Sequence, residues 1–170
     1  GLLARARERL PEAALGTDII VGFPGESDCQ FESSLEYFAS LPLTYFHVFP
    51  YSTRRGTLAA SLTEQVAGHV KKARARRMRE LGVEKKRAFC SSFLGRRFAV
   101  LVEEKMNTKT GARRGFTRNY LPVNVRLGGE LCNEEVVVEL TGFDDGSLTG
   151  IACSAQVEPA ACDGLAVYPE

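Results

Sequence analysis

Three groups of residues in this sequence have types and spacing that could do chemistry. Between positions 113 and 120, cations interleave with aromatics and an amide: Arg113, Arg114, Phe116, Arg118, Asn119 and Tyr120. That mix suits RNA, since guanidinium groups hold phosphates while Phe116 or Tyr120 can stack on an unpaired base. Phe116 and Tyr120 could equally be core residues of a β-barrel. Both readings can hold at once, because alternate residues of a strand face opposite sides. The other two groups are polar loops, Gly22-Phe23-Pro24-Gly25-Glu26 and Tyr51-Ser52-Thr53-Arg54-Arg55-Gly56-Thr57, each following a short apolar run. If those runs are parallel strands, both loops open on the carboxyl edge of one sheet, where α/β proteins bind ligands. Two glycines, one carboxylate and two arginines would then converge there. The alternative is that both loops are simple turns, with Gly and Pro present for backbone reasons.

The five cysteines, Cys29, Cys90, Cys132, Cys153 and Cys162, are odd in number and widely spaced. No CxxC or CxxxCxxC occurs, so no local zinc or iron–sulfur motif is present. Free thiols in a reducing cytosol are the plainer reading. No apolar run is long enough to span a bilayer, and no signal peptide is recognisable.

The formal net charge of +1 hides a strong asymmetry. Residues 71–118 hold sixteen Lys and Arg against four acids, a surplus of +12, while residues 1–70 and 119–170 carry −3 and −8. A cationic middle third between acidic flanks fits a polyanion partner, most simply nucleic acid. The competing reading is a solvated helix whose charges keep it soluble.

The elements that must position these groups follow from periodicity. Residues 2–10 read as an amphipathic helix stopped by Pro11. Thr17–Phe23 holds Ile19, Ile20 and Val21 in succession, the pattern of a strand buried on both faces. Ser27 and Gln30 form a capping box for a helix presenting Phe31, Leu35 and Phe38. Tyr45–Phe49 is a second strand, completing a parallel βαβ unit. Two strands alone leave an unpaired, aggregation-prone edge. Together with a start that reads as mid-helix and lacks Met, this makes the chain look like a piece of a larger protein. Most of the stretch between 64 and 97 is predicted to be one long helix, with a narrow stripe of Val66, Val70, Ala73, Met78, Leu81 and Ala88 and cationic flanks including Lys71 and Lys72. Beyond it the period becomes two: strands at 98–104, within 116–126, at 135–143 and at 147–153, with Asp144-Asp145-Gly146 as a hairpin turn. Five or so strands over about sixty residues predict a small closed β-barrel of OB-like size. Residues 156–170 read as a loose tail.

Three stretches in order, DIIVGFPGE, HVFPYSTRRGT and GFTRNYLPV, resemble the C-terminal half of the radical-SAM methylthiotransferases. The likeness covers roughly residues 14–153. It implies a fold in two parts: the end of a radical-SAM α/β barrel with its basic helix over 1–90, and a TRAM β-barrel over 91–155, followed by the tail at 156–170. It implies a cytoplasmic transferase that puts a methylthio group on C2 of a modified adenine beside the tRNA anticodon, using S-adenosylmethionine and two 4Fe–4S clusters. "HVFPYS" and "GFTRNYLPV" look most like the branch acting on threonylcarbamoyladenosine. On this reading Gly22, Gly25 and Glu26 line the S-adenosylmethionine side, and Tyr51, Ser52, Arg54 and Arg55 the mouth where the base enters. Arg113, Arg114, Phe116, Arg118, Asn119 and Tyr120 contact the tRNA anticodon stem-loop, with Lys71, Lys72 and their neighbours to Arg87 on the phosphate backbone. The family's CxxxCxxC triad is absent, so none of the five cysteines is assigned to a cluster and the chain alone is expected to be inactive. No DNA or membrane partner is implied, and oligomeric state is left open. The competing function is a stand-alone RNA-binding module that does no chemistry.

Overall fold

A computed structural model describes residues 1–108, 110–126 and 132–153. The expected tail and Cys162 lie outside these residues. The chain divides into two compact units, Gly1–Ser92 and a second beginning at Phe93.

The first unit holds α1 (Leu2–Arg9), β1 (Gly16–Val21), α2 (Asp28–Ser40), β2 (Tyr45–Pro50), a short α3 (Leu58–Ser61) and the long α4 (Gly68–Ser91). β1 and β2 pair in parallel, with Ile19 opposite Val48 and Val21 opposite Pro50. The Ser27 capping box forms: Ser27 Oγ accepts from the Gln30 amide at 3.2 Å, and Gln30 Oε1 accepts from the Ser27 amide at 2.8 Å. Phe31 is buried from α2, with Leu35 and Phe38 packed beside it against Ile19, Val21, Val48, Ala75 and Met78. Fully burying side chains such as Phe31 and Met78 is worth about 1.5–3 kcal/mol each.

Two expectations need correction here. β1 is buried on one face only: Ile19 and Val21 are covered, while Ile20 is 60% exposed and Phe49 of β2 is 51% exposed. Successive strand residues point to opposite faces, and among the described residues helices pack on one of them. The basic helix forms over most of 64–97, as Gly68–Ser91, but its buried stripe differs. Val70 and Leu81 are half-buried and Met78 is fully buried, but Ala73 and Ala88 face out. Arg74, Ala75 and Gly82 are buried instead. Gly82 allows a close approach, since a Cβ there would stand 3.2 Å from the Phe46 ring.

The second unit holds β3 (Arg97–Met106), β4 (Arg113–Thr117), β5 (Pro122–Arg126), β6 (Glu134–Asp144) and β7 (Ser147–Ala152). They close into a barrel in the order β3-β4-β5-β7-β6. All pairs are antiparallel except β5 with β7. The inward residues Val100, Val102, Val123, Val125, Val138, Leu140 and Leu148 are fully buried, as period-two alternation requires. Pro122 opens β5 rather than interrupting a longer strand, a place where its missing N–H is tolerated. Asp145 and Gly146 both take positive φ in the β6–β7 turn, the conformation that an Asp-Gly hairpin supplies.

Candidate functional site

The two loops at the carboxyl ends of β1 and β2 do meet. Phe23 and Tyr51 pack edge to face with ring centroids 5.3 Å apart. Lys71 of α4 sits over the Tyr51 ring at 5.6 Å and donates to the Tyr51 carbonyl at 3.1 Å. Tyr51 Oη is buried without a hydrogen-bond partner among the described residues. Beside it, Asp18, Ile20, Phe49, Ser52, Arg54 and Thr57 help line an open cleft of about 600 Å³ on the uncovered face of the sheet. Arg55 stands exposed in the following turn.

The Gly22–Glu26 loop is held from within. Gly22 (φ 73°) and Gly25 (φ 85°) occupy the left-handed region, where a side chain is strained. The Gly22 amide donates to Glu26 Oε2 at 2.6 Å, and the Gly25 amide donates to the Glu64 carbonyl at 2.8 Å. The guanidinium that meets Glu26 is Arg74 of α4, not Arg54 or Arg55. Arg74 is 5% exposed; its Nη1 donates to Glu26 Oε2 at 2.7 Å and to the Glu26 carbonyl at 2.8 Å, and its Nη2 to Asp28 Oδ1 at 2.6 Å. Burial works against its charge, but the bonds to Asp28 and Glu26 outweigh it and hold the guanidinium above its ordinary range. These bonds make the loop a scaffold tied to α4. They engage the two glycine amides and Glu26 Oε2.

The cations of α4 are engaged in different ways. Arg74 is neutralised by Glu26 of the loop and Asp28 of α2, Arg77 by Glu32 of α2, and Arg76 pairs with Glu80 of α4 itself at 3.7 Å; both Arg77 Nη groups donate to Glu32, one at 2.8 Å, and that bond lowers the Glu32 pKa below its usual value. Lys71, Arg79 and Lys85 donate to backbone carbonyls, those of Tyr51, Val48, and Ala39 with Leu41. Lys72 and Arg87 are exposed and have no bond among the described residues. The phosphate-facing role expected of the whole run from Lys71 to Arg87 is therefore not open to Arg74, which points into the protein.

In the barrel, the group at 113–120 is split by strand parity. Gly115 and Thr117 are buried, so Arg114 and Phe116 face outward, with the Arg114 guanidinium 5.2 Å from the centroid of the half-buried Phe116 ring. Arg113 donates to the Glu104 carbonyl at 3.2 Å. Arg118 makes a two-pronged pair with Glu135, at 2.9 and 3.0 Å, which lowers the Glu135 pKa. Asn119 Oδ1 accepts from Thr117 Oγ1 at 2.6 Å. Tyr120 is 85% exposed and held at φ 60°, with its amide on the Thr117 carbonyl at 2.9 Å. A bulky residue at positive φ is an outlier, so the turn imposes this geometry. Asn124 and Arg126 of β5 share the outer face with Arg114 and Phe116. Period two through PVNVR is the signal of that placement.

Among the described residues, no three His, Cys, Asp or Glu side chains lie close enough to hold a metal ion, and Cys29, Cys90, Cys132 and Cys153 are free thiols. The CxxxCxxC spacing does not occur in the sequence. No helix among them is long and apolar enough to cross a membrane.

No family model matches the chain. It is 34% identical over 157 residues to the tRNA-2-methylthio-N(6)-dimethylallyladenosine synthase of Bacillus pumilus, an alignment covering 92% of this chain and 31% of that protein. It is 36% identical over 149 residues to the protein of the same name from Acetivibrio thermocellus, covering 88% and 31%. The threonylcarbamoyladenosine tRNA methylthiotransferase MtaB of Aquifex aeolicus is 35% identical over 116 residues, covering 68% and 27%. The chain spans about a third of the length of these relatives. Over most of its own length it is homologous to tRNA methylthiotransferases of both names.

Proposed function

We propose that this chain is the tRNA-gripping part of a tRNA methylthiotransferase, an enzyme that adds a methylthio group to C2 of an N6-modified adenosine beside the anticodon. The observation that carries this is the homology along nearly the whole chain to proteins named for that reaction. The closed barrel with an outward Arg114–Phe116 stack supports the RNA-binding half of the reading. In the family the radical chemistry belongs to S-adenosylmethionine and 4Fe–4S clusters. This chain's own residues contribute binding and position: the barrel grips RNA, and the Tyr51–Arg55 loop borders the cleft on the open sheet face. The domain division at 90/91, cytoplasmic location and inactivity of the chain alone belong to the same proposal.

For the substrate we infer threonylcarbamoyladenosine, on the words HVFPYS and GFTRNYLPV. Dimethylallyladenosine is the second reading, favoured by the more frequent name among the relatives. Binding of the chain to an anticodon stem-loop carrying each modification, or none, at two salt concentrations tests all of this. Affinity that falls with salt and favours the threonylcarbamoyl loop is the expected result. Preference for the dimethylallyl loop moves the substrate to the second reading. Absence of binding at low salt overturns the tRNA role.

A further inference from the structure

We infer that the outward face of β4 and β5 is a platform for a single unpaired RNA base and its neighbouring phosphate, with Phe116 and Arg114 as the stack and Arg126 as the phosphate hold. This rests on the tRNA reading above and adds to it where on the barrel the unpaired strand lies.

The register defines the face. Gly115, Thr117, Val123 and Val125 point inward, so Arg114, Phe116, Pro122, Asn124 and Arg126 share the outside. Phe116 lies opposite Pro122 and, on its other side, opposite Leu101, which is 52% exposed. These three make an apolar row across the strands. The next row is Arg114, Asn124 and Thr149, and the one after pairs Arg126 with Ile151. Rows two residues apart along a strand are about 6.6 Å apart. No carboxylate stands opposite Asn124 or Arg126 on β7, where their partners are Thr149 and Ile151. Arg126 is exposed and has no bond among the described residues.

The chemistry of the rows is that of a single-strand reader. A guanidinium already lies on the Phe116 ring, so an entering base extends an existing stack and brings its phosphate towards a cation. Asn124 offers an amide donor and acceptor to a base edge. In five-stranded barrels of the OB type the second and third strands carry oligonucleotides, and β4 and β5 are second and third here. Arg118 is excluded from this role, because Glu135 engages both prongs of its guanidinium.

The test measures binding of the full 170-residue chain to an unmodified anticodon stem-loop and to a blunt RNA duplex of equal length, with thermal melts confirming that each variant folds. Phe116→Leu is expected to weaken stem-loop binding about tenfold or more and to leave the duplex unchanged. Arg126→Gln is expected to weaken both RNAs and to reduce the salt slope by about one. Arg118→Gln is expected to change neither by more than about twofold, as for an exposed ion pair. A folded Phe116→Leu chain with stem-loop affinity within about twofold of the parent overturns the platform, as does a larger loss from Arg118→Gln. If the parent chain binds neither RNA, the tRNA reading itself fails.

Discussion

Replacing Arg74 by Met tests whether α4 holds the Gly22–Glu26 loop in place. Arg74 donates three charge-assisted bonds, two to Glu26 and one to Asp28. They do not count equally. The Asp28 side chain is 93% exposed and rehydrates when its partner goes, so that bond is worth about 0–1 kcal/mol. The Glu26 side chain is only 17% exposed, and without Arg74 its carboxylate keeps the Gly22 N–H alone. Bonds to charged groups contribute about 1.5–3 kcal/mol, and methionine keeps much of the apolar stem, which gives an expected loss of about 2–4 kcal/mol. Hydrogen exchange is the direct assay. If the loop opens locally, exchange of the Gly22 and Gly25 amides should accelerate by about thirtyfold or more. A double-mutant cycle with Glu26→Gln should show a coupling of about 1–3 kcal/mol, while Asp28→Asn should cost about 0.5 kcal/mol or less. Amide exchange within about threefold of the parent, or a coupling below about 0.3 kcal/mol, would refute the reasoning and leave Arg74 with only its packing over Phe31.

Three further outcomes follow from the same geometry. Gly22→Ala places a Cβ 2.3 Å from Lys71 Cγ at a φ of 73°, and should lower the melting temperature of the first unit by the equivalent of at least about 1–2 kcal/mol; an unchanged melt would contradict the geometry. Gly150→Ala meets Val138 Cγ1 at 2.3 Å and the Glu139 carbonyl at 2.8 Å, so it should destabilise the barrel by about 1–3 kcal/mol, whereas Gly68→Ala, with nothing within 4 Å, should stabilise by about 0.4–1 kcal/mol in denaturant titrations. Glu135 titrates below its usual value because Arg118 bonds to it, so its contribution to stability is complete above the ordinary carboxylate pKa and is lost as pH falls through the lowered folded one. NMR titration of Arg118→Met should return Glu135 to the ordinary range, and a Glu135 that stays low would place the cause elsewhere.

Much of the architecture is legible in local pattern. The capping box, the hairpin turn at Asp144–Gly146 and the alternation of the barrel strands are set by neighbouring residues, and local rules recover them. What escaped is long-range. Arg74 reads as one more exposed cation, because its partners Glu26 and Asp28 lie more than forty residues away. Gly82 carries no local signal of its role, yet it is where Phe46 packs against α4. Ile19, Ile20 and Val21 read as covered on both sides, and only the three-dimensional arrangement shows which side is open. At the candidate RNA surface, composition located the residues but could not separate Arg114, on the outer face, from Arg118, held by Glu135. Partner choice among cations depends on strand register, and the acids that decide it sit on β6.

The carbonyl bonds of α4 have a consequence for association kinetics. A carboxylate that accepts a hydrogen bond also cancels the donor's charge, but a backbone carbonyl has none to give. Lys71, Arg79 and Lys85 thus spend hydrogen-bond donors on carbonyls with no carboxylate bonded to cancel their charge, although burial works against the charge of Lys85. Their field reaches a polyanion across roughly a Debye length of 10 Å even though those donors are engaged. Substituting Lys71, Arg79 or Lys85 by neutral residues should slow the encounter with RNA more than it hastens release, an asymmetry that fades as ionic strength rises.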